Sequence, residues 1–202
     1  MEFIDLFAGI GGFRKGMEKN NHTCVLSCEI DNNARKSYAA IHNEKPDFPN
    51  DVTKLIENKQ LPKTFDVLCA GFPCQPFSRA GRREGFKNDK NGNLFFSVMD
   101  IIDNKEPKIV FLENVKGLLS SGIMNEPTEE DLKQTIKPKY VESEKGLTFL
   151  IILQYLHSHG YDVQWQLINS AHFIAHKRER VYIIASKRVD EFNPIFPIHV
   201  EQ

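Results

Sequence analysis

Cys74 stands in the run Gly71-Phe72-Pro73-Cys74-Gln75-Pro76-Phe77-Ser78, where a thiol could serve as a nucleophile. The apolar stretch 65–70 leads into it and reads as a buried strand that Gly71 and Pro73 stop abruptly. In open α/β sheets, ligands bind at the carboxyl ends of strands. Pro73 and Pro76 stiffen the turn and remove backbone donors, so the sulfur can be held at a fixed angle. The attacking species is the thiolate, which cationic neighbours favour, and Arg79, Arg82, Arg83, Lys87 and Lys90 follow closely. A free cysteine is more often a small buried hydrophobe. Other segments of the chain set Cys74 apart from that reading.

Phe7 leads into Gly9, Gly11 and Gly12, a strand-to-turn junction where backbone can approach a ligand and a following helix presents free N–H groups. Glu29 ends the second strand, where a carboxylate can accept both hydroxyls of a ribose. Asp51 ends the next strand and could accept from an adenine amino group. Glu113 ends a further buried strand, and Arg178 and Arg180 stand near a late one. A nicotinamide dehydrogenase would also use a glycine turn and a distal acid. It has no use for a cysteine nucleophile, nor for Glu113-Asn114-Val115 and Arg178-Glu179-Arg180 where they stand.

Taken in order, Asp5-Leu6-Phe7-Ala8-Gly9-Ile10-Gly11-Gly12, Glu29-Ile30-Asp31, Asn50-Asp51-Val52, the Pro-Cys-Gln run, Glu113-Asn114-Val115 and Arg178-Glu179-Arg180 resemble the cytosine carbon-5 DNA methyltransferases. The resemblance spans about residues 3 to 186. It implies a class I methyltransferase (Rossmann-like) fold that binds S-adenosylmethionine and releases S-adenosylhomocysteine, without a metal. By the resemblance Phe7 lies near the adenine, Glu29 on the ribose and Asp51 on the exocyclic nitrogen. Ala8, Gly9, Gly11, Gly12, Ile30, Val52, Gly71, Phe72, Pro73 and Leu94 fill out the cofactor pocket. Ile30 stands where the family often has an aromatic residue, so it can pack on adenine but not stack.

The implied reaction is covalent catalysis on a flipped-out cytosine. Cys74 would add to carbon 6, making carbon 5 nucleophilic. Glu113 would serve ring nitrogen 3 and accept from the 4-amino group. Arg180 would donate to the 2-oxo group, Arg178 would orient the cysteine loop or a phosphate, and Asn114 would fix its turn. Ala175-His176 replaces the family's usual Pro-Gln.

Elements that would position these residues alternate along the chain: strands at 3–7, 23–29, 65–70, 108–113, 162–169 and 180–186, and helices at 13–20, 32–42, 94–104 and 147–159. The last two strands suggest a hairpin. Within 32–42, Ala34, Tyr38 and Ile41 fall at helical spacing. The pattern predicts an α/β fold with a mostly parallel sheet and helices on both faces. The resemblance adds one antiparallel strand near the edge. Residues 78–93 read as a mobile catalytic loop and 120–145 as an insertion loop, with a short helix around 129–135.

The 202 residues suffice for one domain, and 41% hydrophobic with 26% charged content is ordinary for a globular protein. No apolar run approaches the ~20 residues that span a bilayer. Four cysteines without Cys-x-x-Cys spacing argue against zinc or a disulfide framework, and a reducing, cytoplasmic, bacterial setting is expected. Net charge is −1, so basic character is local: the cationic run after Cys74, and His176, Lys177, Arg178 and Arg180. His157 and His159 read as surface residues.

Family members continue beyond the point matching Gln202 with a target-recognition region and a segment completing the cofactor pocket. Three readings stay open: a split enzyme completed by a second chain, a gene fragment or trimmed chain, or a lone inactive catalytic domain. The expected partner is double-stranded DNA. A tRNA cytosine-5 methyltransferase and a non-catalytic relic that binds DNA or a partner are the alternatives.

Overall fold

The computed structural model describes residues 1–73, 94–121, 123–124, 142–143, 146–188 and 194–198. Cys74, the 78–93 loop and the helix expected around 129–135 lie outside the described residues.

Six strands form the main sheet: β1 (Glu2–Leu6), β2 (Thr23–Cys28), β3 (Val67–Ala70), β4 (Ile109–Val115), β7 (Tyr161–Asn169) and β8 (Glu179–Lys187). Their order is β2-β1-β3-β4-β8-β7. β2, β1, β3 and β4 pair in parallel, and β8 runs antiparallel to both β4 and β7. The sheet is therefore mostly parallel, with one reversed strand next to its edge. The hairpin expected from β7 and β8 is present, closed by a single helical turn at Ser170–His172.

Period-2 alternation assigns each strand residue to a face. Ile4, Leu6, Leu68, Ala70, Val110, Leu112, Val181 and Ile183 pack on one side with helices α3 (Leu94–Lys105) and α4 (Leu147–Ser158). Tyr155 fastens those helices, its hydroxyl bonding the Met99 carbonyl and the Asp103 carboxylate. Phe3, Val67 and Cys69 face the other side with Phe13 and Met17 of α1 (Gly12–Lys19). On that side α2 (Asn32–His42) buries Tyr38 and Ala39, and Tyr38 bonds Ser27 of β2. Ile41, expected on the inner face, is 50% exposed, because Ala39 rather than Ile41 turns inward with Tyr38.

Two differences from the sequence reading are local. Asp51 does not end a strand; its carboxylate caps a helical turn at Val52–Lys54. The 120–145 stretch is not wholly irregular, since β5 (Ile123–Met124) pairs antiparallel with β6 (Glu142–Ser143). The exposed His157 and His159 have partners: Arg188 for the first, Tyr155 and Asp103 for the second.

Candidate active site

Phe7 leaves β1 in the left-handed region (φ 56), as does Gly9 (φ 56), and Gly11 follows at φ 90. A phenylalanine there is strained by about 1 kcal/mol or more, a cost that clusters at ligand sites. Gly11 has a second constraint: a Cβ would lie 2.2 Å from Nε2 of His42. The turn is tied to β2 by Glu29, whose Oε2 accepts from the Gly9 amide (2.8 Å) and whose Oε1 accepts from Asp31 (2.8 Å). The Glu29 amide in turn donates to Pro49 (3.3 Å), just before Asp51. One carboxylate residue thus anchors the first, second and third predicted cofactor segments to one another. Asp51 accepts from the Thr53 hydroxyl (2.6 Å), which more than any other contact holds its carboxyl below the usual range and keeps it an ionised acceptor.

Across the sheet, the β4–β8 register sets Glu113 opposite Tyr182 and Val115 opposite Arg180. Glu113 Oε1 accepts from Arg180 Nε at 2.8 Å, with Arg178 at 3.9 Å. Asn114, on the opposite face and 2% exposed, donates to the Phe72 carbonyl (2.9 Å) and accepts from the Val115 amide (2.8 Å). That bond fixes the chain two residues before Cys74 to the strand carrying Glu113. Gly71 lies between the two halves: a Cβ there would stand 3.5 Å from Glu113 Oε2 and 4.0 Å from the Phe7 carbonyl.

A cleft of about 740 Å³ joins them. Of the sequence-predicted residues, Phe7, Ala8, Gly9, Gly12, Gly71, Glu113 and Arg178 line it. Arg180 reaches the site through Glu113. Glu29, Ile30, Asp51, Val52, Phe72, Pro73 and Leu94 lie outside that lining, and Gly11 packs on His42 and Tyr38. Sequence reasoning missed Phe13, Met17, Phe111 and Tyr182 as lining residues. Their signal was available: Phe111 is two residues before Glu113 on one strand, so both share a face. Burial, and then the Glu113 charge, raises the Tyr182 phenol above its usual range. Among the described residues no group of His, Cys, Asp or Glu could hold a metal ion, and no helix is long and apolar enough to cross a membrane.

The parallel sheet with one reversed strand, and the glycine turn opening at its carboxyl end, define a Rossmann-like methyltransferase fold. Solved structures of that fold include the S. pombe Dnmt2 methyltransferase, with a TM-score of 0.67 at 20% identity over 96% of this chain and 53% of that one. A prophage-encoded putative DNA modification methyltransferase from E. coli gives 0.59 at 21% identity over 93% and 47%. The family model for C-5 cytosine-specific DNA methylase matches residues 1–137 and 138–202, and the chain belongs to that family. It is 42% identical over 91% of its length to the type II methyltransferase M.BsuFI of Bacillus subtilis, covering 39% of that protein. It is 41% identical over 90% of its length to M.HpaII of Haemophilus parainfluenzae, covering 45% of it. The chain thus spans less than half the length of these curated relatives.

Proposed function

We propose that this chain is the catalytic and cofactor-binding part of a bacterial restriction–modification DNA (cytosine-5-)-methyltransferase. The observation that carries the reading is the shared cleft: the Glu113 carboxylate, clamped by Arg180, opens into the same space as the glycine turn after β1. A methyl donor held at one end and a base held at the other would meet beside Gly71. S-adenosylmethionine fits the first end because the turn lines the cleft with Gly9 and Gly12, where an added Cβ would meet nothing within 4 Å. When bound, it supplies an electrophilic methyl group. Glu29 and Asp51 would hold its ribose and adenine.

Double-stranded DNA is the substrate of this reading, with the target cytosine turned out of the stack. Cys74 would attack carbon 6, and Asn114 would steady its loop through the Phe72 carbonyl. Glu113 would hold a proton at ring nitrogen 3 while accepting from the 4-amino group. Arg180, which pairs with Glu113 at 2.8 Å, would turn to donate to the 2-oxo group as the base enters. This reading sets the reaction in the cytoplasm.

The test is tritiated methyl transfer from S-adenosylmethionine to mixed genomic DNA, with the chain alone and with lysate of its source. The expected result is little transfer alone, transfer with lysate, and none with Cys74→Ala. A covalent adduct on duplex DNA containing 5-fluorocytosine would tie the chemistry to Cys74. No transfer and no adduct under either condition would overturn the reading, and methylation of tRNA in place of DNA would replace its substrate.

A further inference from the structure

The segment 44–49 between α2 and Asp51 contains two prolines, Pro46 and Pro49, which donate no backbone hydrogen bonds. Two of its carbonyls, those of Pro46 and Phe48, are met by one side chain. Arg35, on the second turn of α2, donates from a single terminal guanidinium nitrogen to the Pro46 carbonyl (2.7 Å) and the Phe48 carbonyl (2.6 Å). Its guanidinium carbon sits 4.9 Å from the centre of the Phe48 ring. That ring also meets the Tyr38 ring, 5.1 Å between centres and tilted by 55°. Arg14 secures the start of the segment through Glu44 (2.6 Å), and the Glu29 amide secures its end at Pro49. Asp51 follows two residues later. Arg35 is therefore the one contact in the middle of this span, among the described residues, that fixes both its backbone and its aromatic side chain.

We propose that Arg35 is a positioning residue that sets the chain's preference for an adenine-bearing cofactor, by holding the 46–48 backbone so that Asp51 meets the purine's exocyclic amino group. This rests on the reading of Asp51 as the adenine acceptor. An ionised carboxylate accepts from the 6-amino group of adenine and faces the 6-oxo group of hypoxanthine unfavourably. A site of this kind rejects the mismatched analogue only while its acceptor is held in place. Lysine cannot replace Arg35 fully, because it lacks the planar fork that bonds carbonyls and lies on a ring together.

The experiment compares binding of S-adenosylhomocysteine and S-inosylhomocysteine to the purified full chain by calorimetry. The wild-type chain is expected to prefer the adenosyl compound by at least about tenfold. Arg35→Ala is expected to reduce that ratio to within about threefold, with Arg35→Lys between the two and Asp51→Asn abolishing the preference. A purely structural role would lower the melting temperature and weaken both ligands alike, leaving the ratio unchanged. An intact ratio in Arg35→Ala with loss in Asp51→Asn overturns the role of Arg35 and leaves the adenine reading standing. No preference in the wild type, or full preference in Asp51→Asn, overturns both. Arg35→Met keeps the stem over Phe48 without its donors and serves as the same test should Arg35→Ala fail to fold.

Discussion

Asp5 shows how a single residue can set the pH response of the whole chain. It sits in the middle of β1, fully buried, with neither carboxylate oxygen hydrogen-bonded. Burial pushes its pKa from 3.8 to about 8; the Arg14 backbone amide and guanidinium favour the charged form, but neither offsets the desolvation. The folded state therefore holds a proton that the unfolded chain has released. Stability from the neutral acid is complete below about pH 4 and is lost as pH rises toward 8. Denaturation by urea at pH 5 and pH 8 should show the wild type losing stability, with Asp5→Asn flattening the difference. Equal slopes for the two proteins would remove Asp5 from this role. The glycine turn offers a second contrast. Gly9→Ala meets nothing within 4 Å and should cost about 1 kcal/mol from backbone strain alone. Gly11→Ala adds the clash with His42, about 1–3 kcal/mol more. Introducing His42→Ala beside it should recover that second part, and a double-mutant cycle measures the recovery.

Elements transmit these local constraints. β8 carries Arg180 to Glu113 only because it runs antiparallel to β4 in the register that pairs Glu113 with Tyr182. A parallel β8 would place both arginines at the other end of the sheet. Behind the sheet, Tyr155 joins α4 to α3 with one hydroxyl, and α3 packs Phe95 against Phe72 of the cysteine loop. Tyr155→Phe removes both hydroxyl contacts and keeps the ring, while Asp103 retains His159. It should cost about 1 kcal/mol. The decisive measurement is urea unfolding at pH 7 monitored by circular dichroism, where an unchanged midpoint would show that the apolar core alone holds α4. Because Phe72 precedes Cys74 by two residues, the same variant should lower 5-fluorocytosine trapping more than it lowers binding of S-adenosylhomocysteine.

At the scale of the molecule, the sequence made the alternation of strands and helices legible, since Phe3–Leu6, Val67–Ala70 and Ile109–Leu112 are short apolar runs bounded by turn residues. It also placed Glu29 at a strand end, whereas Glu113, expected to end its strand, lies two residues inside the end of β4 because the pairing with β8 extends that strand to Val115. It left unreadable whatever depends on residues distant in the chain: the Glu113–Arg180 pair, the Gly9–Glu29 bond, and the burial of His42 against Gly11. Periodicity specifies which face a side chain takes, but not which strand lies beside it. The cleft follows the same logic. It runs from the glycine turn past Glu113 to Phe111, Tyr182 and Asn20, between α1 and β8. A ligand seated there would lie between α1 and the sheet, and S-adenosylhomocysteine is the expected occupant. At ten times its dissociation constant it would stabilise the fold by about 1.4 kcal/mol. Titrating the ligand while following the unfolding midpoint gives that constant directly. A value in the high micromolar range, falling when a polypeptide corresponding to the remaining part of a relative is added, would show that the cleft is closed in trans. Tight binding by the chain alone would show that these 202 residues supply most of the cofactor contacts.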